Sequence, residues 1–288
     1  MKDSKIAWCH HTLNFWQGCS EVSKECAGCY ARTLMENKKQ RFHVLRLTQT
    51  WRSAYRLNAE AAAEGKCALI FVSSMTDFWH PGADPWRADA WEVMRDCQNV
   101  IWLMLTKRPE RIRLDLPQDW ETNFQHCWLG TTCGLRSSYS RVDVLRGIPC
   151  SKRFLSIEPL LEDLSDIDLT GIDWILVGGM SGEKSATMAM DLQWAAQLYD
   201  KTRRSGARFF WKQVAATRNE WGSNALGLHL AERAGIVVDP ATVDLIREFP
   251  DTPLPLMPLN SEKGRRFTHQ QWLEYKNRNC RRRLYEIS

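Results

Sequence analysis

A chain of 288 residues with 44% hydrophobic and 25% charged side chains holds enough apolar material for a full core, and its length suits one α/β barrel or two medium domains. No stretch reaches the ~20 apolar residues of a membrane span, and the opening MKDSKIAWCHH lacks the apolar core of a signal peptide, so a cytoplasmic protein with reduced cysteines and no membrane partner is expected. The net charge of +5 is too small to define a partner on its own.

A short leading strand is expected near Ile6 to Trp8, and after it come Cys19, Cys26 and Cys29, spaced C-x6-C-x2-C with Tyr30 directly following. Closed structural zinc sites recruit four protein ligands, and four-cysteine iron–sulfur sites keep their cluster closed. Three thiolates without a fourth leave one coordination corner, or one iron of a 4Fe-4S cluster, open for another ligand. The competing reading is a zinc site completed by Cys9, His10 or His11; it is weaker because zinc ligands usually come as two closely spaced pairs. The other seven cysteines stand singly, which argues against a disulfide framework. Helices are expected over residues 29–40 and 45–64.

Six apolar, β-rich runs then recur: ALIFVSSMTD, VIWLMLTKRP, CWLGTTC, RFLSIEPL, WILVGGMSG and RFFWKQ. Their hydrophobicity is continuous rather than alternating, the mark of parallel strands buried on both faces. Helix-like stretches such as DPWRADAWEVMRDCQ and MDLQWAAQLYDKTRRSG lie between them. The βαβ order predicts an α/β fold, a parallel-stranded full or partial (β/α) barrel. In such barrels the active site gathers at the carboxyl ends of the strands, which here read SSMTD, TKRP, GTTC, SIEP, GGMSG and WKQ. Chain turning accounts for Pro109, Pro159 and Gly182. It accounts less well for Lys107, Arg108, Glu158 and Lys212, each abutting an apolar run.

Other motifs fail on spacing. GGMSG lacks the G-x-G-x-x-G frame, GEKSA lacks a phosphate-loop frame, and no nucleophile elbow is present. His80, His126, His229 and His269 are isolated. After residue 215 the chain changes character: residues 239–260 contain five prolines and read as an extended crossing segment or lid. Beyond them Lys263, Arg265, Arg266, Lys276, Arg278, Arg281, Arg282 and Arg283 crowd a basic tail with Trp272 and Tyr275 interleaved. Such a tail can neutralise phosphates and stack bases of DNA or RNA; the alternative is a solvated helix face with Arg stems covering core. A division into residues 1–215 and a C-terminal extension, 216–288, is expected.

The segments IAWCHHTLNFWQGCSEVSKECAGCYA, FVSSMTDFWHP, LMLTKRPERI, WLGTTC, FLSIEPLL, DWILVGGMSG and FFWKQ, in this order, resemble a radical-SAM-like family of phages and prophages, gp-type proteins of unknown function with a three-cysteine motif. That family is distantly related to spore photoproduct lyase. The resemblance runs from Ile6 to Gln213.

It implies a partial barrel of the radical SAM type, a 4Fe-4S cluster on Cys19, Cys26 and Cys29, and S-adenosylmethionine chelating the unique iron. Reductive cleavage would give a 5′-deoxyadenosyl radical, with an electron donor such as flavodoxin or ferredoxin. By analogy, Ser73, Ser74 and Asp77 would hold the methionine amino group, and Lys107 or Arg108 its carboxylate. Glu158 would take the ribose hydroxyls, and Gly178 and Gly179 would pass close to adenine. The sequence departs from the commonest pattern in its six-residue first gap and in Gly28, which stands where an aromatic often precedes the third cysteine. The implied activity is modification or repair of nucleic acid. A peptide or small-metabolite substrate is the alternative within that chemistry, and a non-enzymatic zinc or iron–sulfur module that docks on nucleic acid is the alternative outside it.

Overall fold

The computed structural model describes residues 4–182, 190–217, 221–258 and 265–285, with side chains described up to residue 277. Seven parallel strands form one sheet in the order β1-β4-β5-β6-β7-β8-β9, curled into a half-barrel. They are β1 (His11–Leu13), β4 (Ala68–Val72), β5 (Val100–Thr106), β6 (Cys127–Thr132), β7 (Arg153–Ile157), β8 (Trp174–Val177) and β9 (Arg208–Trp211). The six apolar runs are therefore strands in sequential order, each paired with the next.

The leading strand is displaced. Residues 6–8 are not a strand; Ala7 and Trp8 are buried and Trp8 lies on the floor of the half-barrel, while His11–Leu13 pairs with Ile70–Val72. A strand spelled His-Thr-Leu hides from an apolar-run search. It is held by His10, whose Nδ1 accepts from the Leu69 amide (2.7 Å) while Nε2 meets the Met257 carbonyl (2.8 Å). The segment 45–64 also divides: β3 (Arg46–Leu47) pairs antiparallel with β2 (Trp16–Gln17), and α2 (Arg52–Ala63) starts later. The helix after the cysteines, α1, is Tyr30–Asn37.

The continuous hydrophobicity of the strands resolves into two cores. One face packs under α2, α3 (Asp84–Asp96), α5 (Tyr139–Arg146) and α6 (Leu192–Ser205). The concave face carries Leu69, Phe71, Leu103, Trp128, Phe154, Trp174, Leu176 and Phe210 around Trp8. Gly130 of β6 makes room inside: a Cβ there would lie 2.4 Å from the Phe154 ring.

Over residues 239–258 the proline-containing segment is a crossing element; residues 259 and 260 lie outside the described residues. It runs antiparallel along β9, with the Trp211 amide donating to the Ile246 carbonyl (2.7 Å), and covers an edge that would otherwise be open. It then passes beneath the sheet, where Phe249 packs on Trp174 and Phe210, each at 5.4 Å, and reaches β4 through the Cys67 amide and the Pro255 carbonyl (2.9 Å). The amino-terminal end of the barrel is thereby closed. The C-terminal helices α7 (Ala225–Arg233) and α8 (His269–Tyr285) add Leu226, Leu228, Phe267 and Trp272 to the outer core shared with the barrel.

Overpacking tests the interior. Gly130→Ala is expected to lower unfolding stability by about 1–3 kcal/mol in urea titration, and Phe154→Leu in the same chain to recover part of that loss.

Candidate functional site

The segment between β1 and α1 has little regular structure, so its shape depends on side chains reaching into it. Gly18 adopts a φ of +103°, and a Cβ on it would lie 2.6 Å from the Val44 carbonyl oxygen, which only glycine avoids. Cys19 then donates its amide to the Phe42 carbonyl (2.8 Å). A short 3-10 turn, Lys24–Cys26, brings in Cys26, whose carbonyl accepts from the Cys29 amide (3.1 Å) as α1 begins.

Two buried charges fix this segment from opposite sides. On the β5 side, Arg108 donates from Nη1 to Asp77 Oδ2 (3.0 Å) and to the Cys19 sulfur (3.7 Å), and from Nη2 to the Ser20 carbonyl and hydroxyl (both 2.9 Å). On the β6 side, Glu25 accepts from the Gly134 amide (2.6 Å), the Ser138 hydroxyl (3.0 Å), Arg141 (2.5 Å) and the Ser23 hydroxyl (2.9 Å). Burial raises the Glu25 pKa, but the Gly134, Arg141 and Ser23 donors outweigh it and leave the carboxyl below its usual range. Burial, and then the Asp77 carboxylate, push the Cys19 thiol up against the opposing pull of Arg108.

The three cysteines line one cavity at the carboxyl ends of the strands, together with Ser73, Ser74, Asp77, Lys107, Arg108, Glu158 and Gly179. These positions share an end of the sheet, as parallel-strand topology requires. Their roles differ from one another. Asp77 is spent: besides Arg108 it accepts from the Thr106 hydroxyl (2.7 Å) and from the amides of Trp79 (3.0 Å) and Lys107 (3.1 Å). Lys107 lines the cavity and has no ion-pair partner among the described residues. Ser74 accepts from Asn14 (3.1 Å), and its carbonyl accepts from the Tyr30 hydroxyl (2.6 Å).

Ser73 has φ +68°, uncommon for a residue with a side chain, and its buried hydroxyl finds no partner among the described residues. The Trp8 indole nitrogen at the cavity wall is likewise unsatisfied among them. Across the cavity, Ser156 donates to Glu158 Oε2 (3.3 Å), and Lys212 Nζ stands 3.3 Å from Glu158 Oε1 without a well-aligned hydrogen bond.

Gly178 and Gly179 are both closely packed, and only Gly179 lines the cavity. At Gly178 the space a Cβ would take is filled by Glu158 Oε1 at 3.1 Å and Lys212 Cβ at 3.3 Å. At Gly179 a Cβ would strike the Ala215 amide nitrogen at 2.2 Å, because the β8 and β9 ends run together there. Gly28 has a similar explanation: the Met180 sulfur would lie 2.6 Å from a Cβ, so the residue before Cys29 is small to admit Met180.

Sequence reasoning missed Glu25, Ser20 and Trp8 as parts of the site. The two-residue spacing of Ser156 and Glu158, which puts both on the concave face of β7, was a usable signal. A buried carboxylate inside a cysteine-bearing loop leaves no such signal. His80 is not isolated: its Nε2 lies 3.0 Å from the Ser20 hydroxyl, behind Arg108.

The basic tail is only partly described. Lys263 and the side chains of Arg278, Arg281, Arg282 and Arg283 lie outside the described residues. Arg265 is exposed, whereas Arg266 donates to the Val243 carbonyl (2.6 Å) and Lys276 pairs with Glu232 (2.7 Å). Trp272 is buried, its indole donating to Glu232 (2.8 Å), and Tyr275 stacks on it at 5.9 Å. Trp272 is thus packed away from any base, which corrects the expectation for it, and half-buried Tyr275 packs against the same core.

No group of three or more His, Cys, Asp or Glu among the described residues is arranged to hold a metal ion. Of the alternative zinc ligands, Cys9 is buried in the concave core and both His10 nitrogens are engaged. Fold and site together define a half-barrel α/β protein with a three-thiol cavity at the carboxyl ends of its strands. A family model for proteins of unknown function, DUF5131, matches residues 3–283, and the chain belongs to that family. No curated protein and no solved structure matches the chain.

Glu25 offers a direct test. Glu25→Ala strands the Arg141 charge and the Gly134 amide, and is expected to cost about 3 kcal/mol in unfolding stability. Because the folded-state pKa of Glu25 is depressed, its contribution is fully present above the unfolded carboxylate range and is lost as pH falls through the folded value. The difference between wild-type and Glu25→Ala stability should therefore shrink on acidification.

Proposed function

We propose that this chain is a radical SAM enzyme, with a 4Fe-4S cluster on Cys19, Cys26 and Cys29 and S-adenosylmethionine in the adjoining cavity. The observation that carries the reading is one cavity in which three thiols and no fourth cysteine face polar groups that lack partners among the described residues. In a 4Fe-4S cluster each cysteine binds a different iron, so three cysteines leave one iron open for another ligand. The bound cluster and cofactor would supply one-electron cleavage of the sulfonium and, through it, hydrogen-atom abstraction from an unactivated carbon.

The chain's own residues divide the work. Lys107 is preferred over Arg108 for the cofactor carboxylate, since Arg108 is already committed to Asp77, Ser20 and Cys19. The free Ser73 hydroxyl suits the amino group, and Glu158 Oε1 a ribose hydroxyl. Asp77 acts through Arg108, which it orients toward the Cys19 sulfur. The apolar floor at Trp8 and Phe71 excludes water from the inner end of the cavity. Nucleic acid is the proposed substrate.

Anaerobic reconstitution with iron and sulfide should give a brown protein absorbing at about 400 nm and bleached by dithionite, and addition of S-adenosylmethionine should release 5′-deoxyadenosine. Alanine at Cys19, Cys26 or Cys29 should abolish iron uptake, while Cys9→Ala should retain it. A colourless protein with one tightly bound zinc would overturn the reading.

The Arg108 contact makes a separate prediction. Arg108→Lys keeps the charge but loses the guanidinium fork that donates to the Cys19 sulfur; taking an N–H donor off a cluster thiolate disfavours the reduced state, so the variant should lower the cluster potential by about 60 mV, tenfold in the one-electron equilibrium. Redox titration followed by electron paramagnetic resonance checks it.

A further inference from the structure

The positive charge of the chain is unevenly placed. Residues 37–59 hold six of the 39 Lys and Arg and none of the 34 Asp and Glu. The tail is the other basic segment, but its Trp272 is packed away and Arg266 and Lys276 are engaged. In the first segment, Lys38, Lys39 and Arg41 are exposed at the turn after α1, with no ion pair among the described residues.

This turn is also fixed to the cavity. Phe42 lines it, and its carbonyl holds the Cys19 amide at 2.8 Å. Tyr30, the first residue of α1, lines the same cavity and is 46% exposed, its hydroxyl anchored on the Ser74 carbonyl at 2.6 Å. A ring tethered by its hydroxyl with nearly half its surface exposed is a stacking platform, and the unpaired cations at the other end of α1, about 12 Å of helix rise away, are a phosphate track. Single-stranded nucleic acid is bound by that combination.

We propose that the Lys38-Lys39-Arg41 turn and Tyr30 form the docking surface for a single-stranded DNA or RNA segment, with the backbone on the cations and one base on Tyr30 at the mouth of the thiol cavity. The inference rests on the reading of nucleic acid as the substrate. It relocates the contact from the tail to the rim of the site. An acidic protein would also be attracted to the cations, but it would gain nothing specific from a tethered aromatic ring.

The test uses the full chain and fluorescently labelled single strands of about 16 nucleotides, a length that covers one such site, in DNA and RNA versions of one mixed sequence. Affinity should fall with salt, and the triple variant Lys38→Gln/Lys39→Gln/Arg41→Gln should flatten the log–log slope by about two units, at roughly 0.7 per phosphate contact. Tyr30→Leu should weaken binding about tenfold with the slope unchanged. Unchanged melting temperatures establish that the variants fold. The DNA and RNA arms identify which strand is preferred, and either preference supports the surface. The inference is overturned if neither strand binds at low salt, if the turn variant keeps the wild-type slope, or if Arg281→Gln/Arg282→Gln/Arg283→Gln takes the loss instead. Release of 5′-deoxyadenosine by a protein that binds no strand would sink this inference and leave the cofactor reading standing. Strand binding with the expected slope loss, in protein that takes up no iron, would do the opposite.

Discussion

The buried Arg108–Asp77 pair is the constraint on which the site depends. A cysteine-bearing segment with almost no backbone ladder of its own cannot hold three thiols in place by propensity, and hydrophobic burial alone is not directional. A guanidinium with fixed donor directions is. Arg108 projects from the end of β5, is oriented by a carboxylate from the end of β4, and spends its remaining donors on Ser20 and the Cys19 sulfur. Such a pair contributes little net stability after desolvation, but breaking it leaves an uncompensated charge, so its effect is to specify one arrangement. Glu25 does the same from the other side with the opposite sign, tying the segment to Gly134, Ser138 and Arg141. The thiol segment is therefore held between two buried charges.

The sheet makes that arrangement possible by being apolar on both faces. Helices cover the outer face, while the concave face is filled by large side chains at its lower level and by Ser73, Thr132, Ser156, Glu158 and Lys212 above. The change from Leu, Phe and Trp to polar residues along the strands sets the depth of the cavity. The crossing segment closes the lower end with Phe249 and Leu256, so solvent access is left to the carboxyl end.

Strand order and the common end of the polar residues were legible because parallel strands announce themselves as continuous apolar runs, and residues following such runs must share an end. The individual duties of those polar residues were not. Asp77 and Lys107 both read as ligand groups at strand ends, yet one is saturated by four donors and the other has no ion-pair partner among the described residues. That difference is set by contacts between residues far apart in sequence, such as Arg108 with Cys19. The paired glycines are a related case: Gly179 lines the cavity, but the absence of a side chain there also admits Ala215 of the neighbouring chain segment, and nothing in the local string shows that second demand. The His-Thr-Leu strand escaped because its pairing rests on the edge of β4 and the two His10 contacts, not on hydrophobicity.

The tail shows how composition can misplace a surface. Interleaved Arg, Lys, Trp and Tyr satisfy the pattern of a nucleic-acid arm, but on a helix that pattern also describes an aromatic face packed inward and a cationic face outward. Trp272 and Tyr275 lie against Phe267, and Glu232 takes both the Trp272 indole and Lys276. The aromatic half of the pattern is thus engaged in packing. Where the chain instead offers a partly exposed ring with its polar end tethered, at Tyr30, it lines the thiol cavity at the start of the helix that leads into the carboxylate-free segment. A ring and a charge can act together on one strand only when both stay exposed, and Tyr30 with the turn at the other end of α1 meets that condition where Trp272 and Lys276 of the tail do not.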